Sequence, residues 1–251
     1  MTNVTALRNS IDPAERDARI DLAACYRLIA HFGMDDLIFT HIAARVPGHA
    51  DQFLINPFGL LFHEITASSL VKVDMAGNIL EPSPYPTNTA GIVIHSAILG
   101  GRPDVQCSLH THTQAGVAVS CLEDGLLPLN QWALRFLGRV GYHEYEGIAL
   151  DTAECARLQE HLGEKDALIL RNHGLLTVGR TISEAFGVMF RLEQACQAQM
   201  SILATGRPIH HVSREVQEHT RRQFGRPEPV GDREWPALLR LLDAKDPGFR
   251  N

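Results

Sequence analysis

Hydrophobic positions along the 251-residue chain change period several times, and each change marks an element. Asp12-Pro13, with Glu15 close behind, opens a helix in which Ile20, Ala24 and Leu28 recur at helical spacing as far as Gly33. From Leu37 the pattern becomes strand-like: Ile38 to Val46 is turned by Pro47-Gly48 and answered by Phe53-Leu54-Ile55. Asn56-Pro57-Phe58-Gly59 turns the chain again. Leu60-Leu61-Phe62 and Leu70-Val71-Lys72-Val73 read as short strands, and Asp74 to Asn78 closes a hairpin. Connections this short leave no room for helical crossovers, so the first third is antiparallel in character.

Further along, Thr87-Asn88-Thr89 offers caps for a helix from Ala90 to Leu99, with Ile92, His95, Ser96 and Leu99 on one side and Gly100-Gly101-Arg102-Pro103 at its end. A strand over Val105 to Thr113 follows directly, and Thr113 caps a short apolar helix from Gly116 to Leu122. Leu127-Pro128-Leu129, Arg139 to Tyr142 and Ala167 to Leu170 are further predicted strands. A helix over Thr152 to Leu162, opened by Asp151, intervenes. Thr181-Ile182-Ser183-Glu184 is a capping box for the longest helix, which runs to Thr205 and carries the core stripe Ala185, Met189, Leu192, Cys196 and Met200. Beyond Gly206 the chain turns polar, with Pro208, Pro227, Pro229 and Pro236. The pattern therefore predicts one α/β domain over residues 1–206. Residues 207–251 are expected to form an extension packed on that domain or on a neighbouring subunit.

Composition narrows the functional classes. Hydrophobic and charged fractions of 45% and 21% are those of an ordinary globular protein, and a net charge of −6 argues against a nucleic-acid partner. No apolar run approaches membrane-spanning length and the N-terminus has no apolar leader, so no membrane partner and a cytoplasmic location are expected. The five cysteines are scattered singly, as in a reducing compartment. Asn3-Val4-Thr5 matches a glycosylation sequon and is read as chance.

Candidate chemistry centres on Leu109-His110-Thr111-His112. Side chains on a strand alternate faces, so His110 and His112 point the same way, roughly 6–7 Å apart at the backbone. That spacing suits chelation of a first-row divalent ion by imidazole, although two partly exposed histidines with no metal would fit the pair equally well. A third ligand changes the picture. His173 interrupts the apolar run Leu168 to Val178 and precedes Gly174, which lets the backbone turn or approach closely. The adjacent pair His210-His211 points apart on extended chain and is not read as a site.

These stretches together resemble the class II aldolase/adducin family over roughly residues 17–206. The matching segments are Phe39-Thr40-His41-Ile42, Ile55 to Leu61, Pro86 through His95 to Val105, Leu109 to His112, and Asn172-His173-Gly174. The resemblance implies a three-layer α/β/α domain with a largely antiparallel central sheet. It also implies a homotetramer with active sites between subunits and a divalent ion, most often zinc with iron or manganese as the alternatives, on His110, His112 and His173. Two departures stand out. Family enzymes carry an acid four residues before the position of His95, where this chain has Gly91. The phosphate-binding Gly-Asn of the sugar-phosphate enzymes is replaced by Thr40-His41, as in the adducin-type branch, and nothing after Gly206 resembles the lysine-rich adducin tail.

The function expected from this is a divalent-metal-dependent aldolase-type lyase acting on a small, non-phosphorylated hydroxy-carbonyl compound. Such cleavage needs a proton carrier. His95 is the first candidate. Tyr142, His143, Tyr145 and Glu146 are second candidates, with Tyr145 and Glu146 preferred among them. Arg171 and Asn172 either orient an anion or hold a loop, and Arg102 reads as a loop anchor. The competing expectations are an adducin-like binding module that has lost its chemistry and a three-His iron(II) oxygenase.

Overall fold

The structure, a computed structural model, describes residues 11–147, 154–225 and 231–251. Helix α1 (Pro13–His31) starts where the sequence places it: the Asp12 carboxylate accepts the Ala14 N–H at 2.8 Å, and Pro13 occupies the first turn. Seven strands form one sheet: β1 (His41–Arg45), β2 (Gln52–Ile55), β3 (Val71–Asp74), β4 (Cys107–Thr111), β5 (Val140–His143), β6 (Ala167–Leu170) and β7 (Gly174–Gly179). Their order is β3-β2-β1-β4-β7-β6-β5, and every pairing is antiparallel except β5 with β6.

Strand alternation splits the core between the two faces. Ile42, Ala44, Cys107, Leu109, Ala167, Ile169 and Leu175 pack with α1 and the long helix α6 (Ile182–Ala204). Ala43, Leu168, Leu170, Leu176 and Val178 pack on the other face with α2 (Thr89–Gly101) and α5 (Glu154–Leu162). The result is three layers, α/β/α, around a mostly antiparallel sheet. The shorter helices are α3 (Gln114–Ser120) and α4 (Gln131–Leu134). No described helix is long and apolar enough to cross a membrane.

Several sequence expectations are corrected. The first strand begins at His41 rather than Ile38, because Leu37 and Thr40 adopt positive φ of 51° and 65°, which no ladder accommodates. Leu60-Leu61-Phe62 is not a strand; the chain turns into a 3₁₀ helix at Phe62–Glu64, where the Glu64 carboxylate accepts the Leu61 N–H. Leu127-Pro128-Leu129 is not one either, since the Leu127 N–H is taken by the Gln199 side chain rather than by a neighbouring strand. The box opening α6 is offset: Thr181 Oγ1 accepts the Glu184 N–H, while the Glu184 carboxylate takes the N–H of Arg180. Asp151, Thr152, Asn3-Val4-Thr5, Pro227 and Pro229 lie outside the described residues.

The polar segment after Gly206 contains two helices, α7 (Arg214–Phe224) and α8 (Trp235–Lys245). Pro236 falls in the first turn of α8, where a proline starts a helix instead of breaking it. Trp235, Leu242 and Phe249 are buried in the α1 and α6 core, and the Trp235 indole N–H donates to Asp21 at 3.0 Å.

The Tyr26 hydroxyl ties this frame to the edge of the site. It is fully buried, accepts the N–H groups of Ile42 (2.7 Å) and Asn56 (3.1 Å), and lies beside two acceptors, the Ile42 carbonyl and Asn56 Oδ1. Tyr26→Phe strands two buried backbone donors and is expected to cost about 3 kcal/mol in urea unfolding; a variant as stable as the parent contradicts this role.

Candidate metal centre

His110 and His41 face each other in register across β4 and β1, on the sheet face covered by α2. His112 follows the end of β4 and His173 sits in the turn between β6 and β7. That turn is built for a close approach. Asn172 takes a left-handed φ of 55°, and a Cβ on Gly174 would meet the Thr111 carbonyl oxygen at 2.4 Å, so only glycine lets the turn lie against the end of β4. His112 Nε2 then lies 2.9 Å from His110 Nε2 and 3.0 Å from His173 Nε2. The three ligand atoms are mutually within 4.8 Å, the one such cluster among the described residues.

Proton placement shows what this cluster is fit to hold. His110 Nδ1 is 2.9 Å from the Leu175 carbonyl, which can only accept, so Nδ1 carries the proton and Nε2 presents a lone pair. His112 Nδ1 is 3.0 Å from the Asp36 carboxylate and is fixed in the same tautomer. Two lone pairs therefore face each other at hydrogen-bond distance with no proton between them, an arrangement that a cation relieves. Imidazoles oriented by a carbonyl and a carboxylate behind them are the donor set of a zinc-type centre.

Burial keeps His41, His110 and His173 neutral and able to donate a lone pair. His41 and His110 are pushed well below the ordinary imidazole range by burial and by the neighbouring histidines. His173 is pushed down to about 4 by burial and by His112 and His143.

His95 is fully buried on α2, and its Nε2 meets His41 Nδ1 at 2.8 Å; it reaches the three-histidine cluster only through His41. Burial and the neighbouring His110 push it down to about 3, and its Nδ1 has no protein partner. Tyr145 is exposed and stands over His173, with ring centroids 6.2 Å apart. Glu146 is held by Arg157 at 2.7 Å. His143 is buried and bridges His161 (2.9 Å) and Glu154 (3.1 Å), while Tyr142 stacks under Arg171. Arg171 donates to the carbonyls of Leu122 and Glu123, and Arg102 to Asp104 and the Gly163 carbonyl, so both anchor loops.

The sequence did not single out Asp36, and it marked His41 only as a departure from the family pattern, not as a neighbour of His95 and His110. Their only local signal is an acidic, aromatic loop before a strand; the contacts that matter depend on strand order. Thr113, the residue after His112, is fixed by a hydroxyl donated to the buried carboxyl of Glu193 on α6.

Because Asp36 fixes the His112 tautomer from a partly exposed position, Asp36→Ala is expected to weaken the affinity of the cluster for an added divalent ion by roughly 10- to 100-fold with the fold intact. Competition with a chromophoric chelator measures this, and unchanged affinity contradicts it.

Comparison with known proteins agrees with the geometry. The family described as Class II Aldolase and Adducin N-terminal domain matches residues 20–200. A Pseudomonas aeruginosa protein assigned by name to aldolase class 2 is 53% identical over 96% of this chain and 94% of its own. Alpha-adducin of Rattus norvegicus is 42% identical over 97% of this chain, a match that spans 36% of the adducin. Among solved structures, an aldolase II superfamily protein from Pseudomonas syringae superposes with a TM-score of 0.94 at 47% identity, covering 98% of this chain and 100% of that one. L-fuculose 1-phosphate aldolase from Glaciozyma antarctica superposes with a TM-score of 0.84 at 29% identity, covering 94% and 93%. With its sheet, its histidine cluster and these likenesses in agreement, the chain belongs to the class II aldolase and adducin N-terminal domain family.

Proposed function

We propose that the protein is a divalent-metal-dependent aldolase-type lyase for a small, non-phosphorylated hydroxy-carbonyl compound. The observation that carries this reading is the pair of Nε2 lone pairs, on His110 and His112, turned toward each other by Leu175 and Asp36. A divalent ion bound there supplies Lewis-acid polarisation of a carbonyl and its neighbouring hydroxyl. The zinc-type donor set makes zinc the first choice, with iron or manganese as alternatives.

The remaining steps fall to the chain's own side chains. His110, His112 and His173 hold the ion. Tyr145, exposed above His173, is positioned to exchange a proton with a reacting oxygen. His95 acts behind His41, as the inner member of a hydrogen-bonded pair. Glu146, tied to Arg157, holds the Tyr145 segment in place. A phosphate is disfavoured because Arg171, the cation lining the crevice beside His173, already has both terminal nitrogens on carbonyls.

Residues 1–206 are taken as the catalytic domain and 207–251 as the extension. Five cysteines scattered singly along the sequence support a cytoplasmic location. Exposed Leu37 and Phe39 beside Asp36 support a homo-oligomer, with a tetramer as the proposal.

A second reading is favoured by one observation, the likeness to alpha-adducin over nearly the whole chain: a binding module that keeps the scaffold without turnover. The His110→Ala/His112→Ala variant separates the two. The lyase reading expects the parent to carry one metal ion per chain and to cleave members of a hydroxy-aldehyde and hydroxy-acid screen, and the double variant to lose both. Stoichiometric metal retained by the double variant, or a metal-loaded parent inert across the screen, contradicts it.

A further inference from the structure

The donor set has no charge of its own. Among the described residues the cluster is three imidazoles with no carboxylate. Four carboxylates around it are engaged elsewhere, Asp36 on the far nitrogen of His112, Glu193 with Thr113, Glu154 with His143 and Glu146 with Arg157, while Glu144, in the crevice beside His173, is exposed to solvent. The adjoining wall is also uncharged, because His41 and His95 stand there as a hydrogen-bonded imidazole pair.

The wall is closed to a carboxylate by shape. A Cβ built on Gly91 would lie 2.9 Å from Cδ2 of His41 and 3.3 Å from Cδ1 of Ile55. His41 is pinned in that space by its register opposite His110 and by its 2.8 Å bond to His95. The glycine at position 91 and the histidine at position 41 are thus one steric arrangement: while the imidazole stays, no acidic side chain fits at position 91.

We propose that His41 and Gly91 together set the charge of the ligand this site accepts: with glycine at position 91 and an imidazole filling the space over it, no acidic side chain offsets a bound divalent ion from that position, and the site selects small carboxylates bearing an α-oxygen. The inference rests on the metal reading above and narrows its substrate class to hydroxy or oxo acids. The physical reason is that a divalent charge among partly buried, uncharged donors is costly until an anion joins it. A carboxylate with an adjacent hydroxyl or carbonyl oxygen supplies that charge together with a second donor oxygen.

The test uses the full chain loaded with cobalt(II), titrated with glycolate and with its uncharged counterpart glycolamide, and read by visible absorption and calorimetry. Glycolate is expected to bind at least about tenfold more tightly. His41→Ala alone keeps that preference, because it brings in no negative charge. His41→Ala/Gly91→Asp is expected to keep its cobalt and bring the two affinities within about twofold of each other. Equal affinities in the cobalt-loaded parent overturn the inference while leaving the metal reading standing, as does a cobalt-loaded double variant with the preference intact. A parent that takes up no cobalt overturns both. Should the double variant not fold, the ratio measured on the parent decides alone.

Discussion

Two hydrogen bonds govern the site. His110 donates Nδ1–H to the Leu175 carbonyl and His112 donates Nδ1–H to the Asp36 carboxylate. Neither is strong in isolation, yet together they remove the choice of tautomer. Both Nε2 lone pairs must then share one small space, and neutral imidazoles cannot satisfy each other there. The chain has accepted a local conflict that a cation resolves, and much of the surrounding structure serves to maintain it.

The sheet does most of that work. Antiparallel pairing of β4 with β7 brings the Leu175 carbonyl alongside His110, and pairing with β1 sets His41 directly opposite. Gly174 and the left-handed Asn172 let the β6–β7 turn lie against β4, which carries His173 to the other two rings. On the opposite face, the buried Glu193 grips Thr113 and anchors the chain immediately after His112. Thr40, a β-branched residue at positive φ, turns the chain sharply into β1 just before His41, an expensive conformation held by the surrounding contacts.

The sequence disclosed the parts whose signals are local. The Asp12 and Asn88 caps, the long helix after Thr181 and the period-two placement of His110 and His112 follow from neighbouring residues and reappear in the fold. His173 was legible because a glycine follows it, and the structure shows the close approach that requires it. What stayed hidden depends on partners far along the chain. Nothing in Thr40-His41 announces that the imidazole will abut Gly91, fifty residues away, or that Asp36 will reach His112. The strand expected at Leu127 to Leu129 failed because Gln199, on a distant helix, captures its backbone. Pro236 stood in the sequence only as one proline of a polar tail, and it falls in the first turn of α8, where its fixed φ suits a helix start. The departures from the family pattern at positions 41 and 91 looked like two separate losses in the sequence and are a single packing unit in three dimensions.

The protein is thus a member of the class II aldolase and adducin family whose three clustered histidines are arranged to hold a cation beside a wall of His41 and Gly91. X-ray absorption at the zinc edge of the metal-loaded protein reads the coordination itself. Three imidazole nitrogens at about 2.0–2.1 Å, completed by exchangeable oxygen and with no protein carboxylate in the shell, is the expected result. Two or fewer imidazoles, or a carboxylate ligand supplied by the chain, would contradict it.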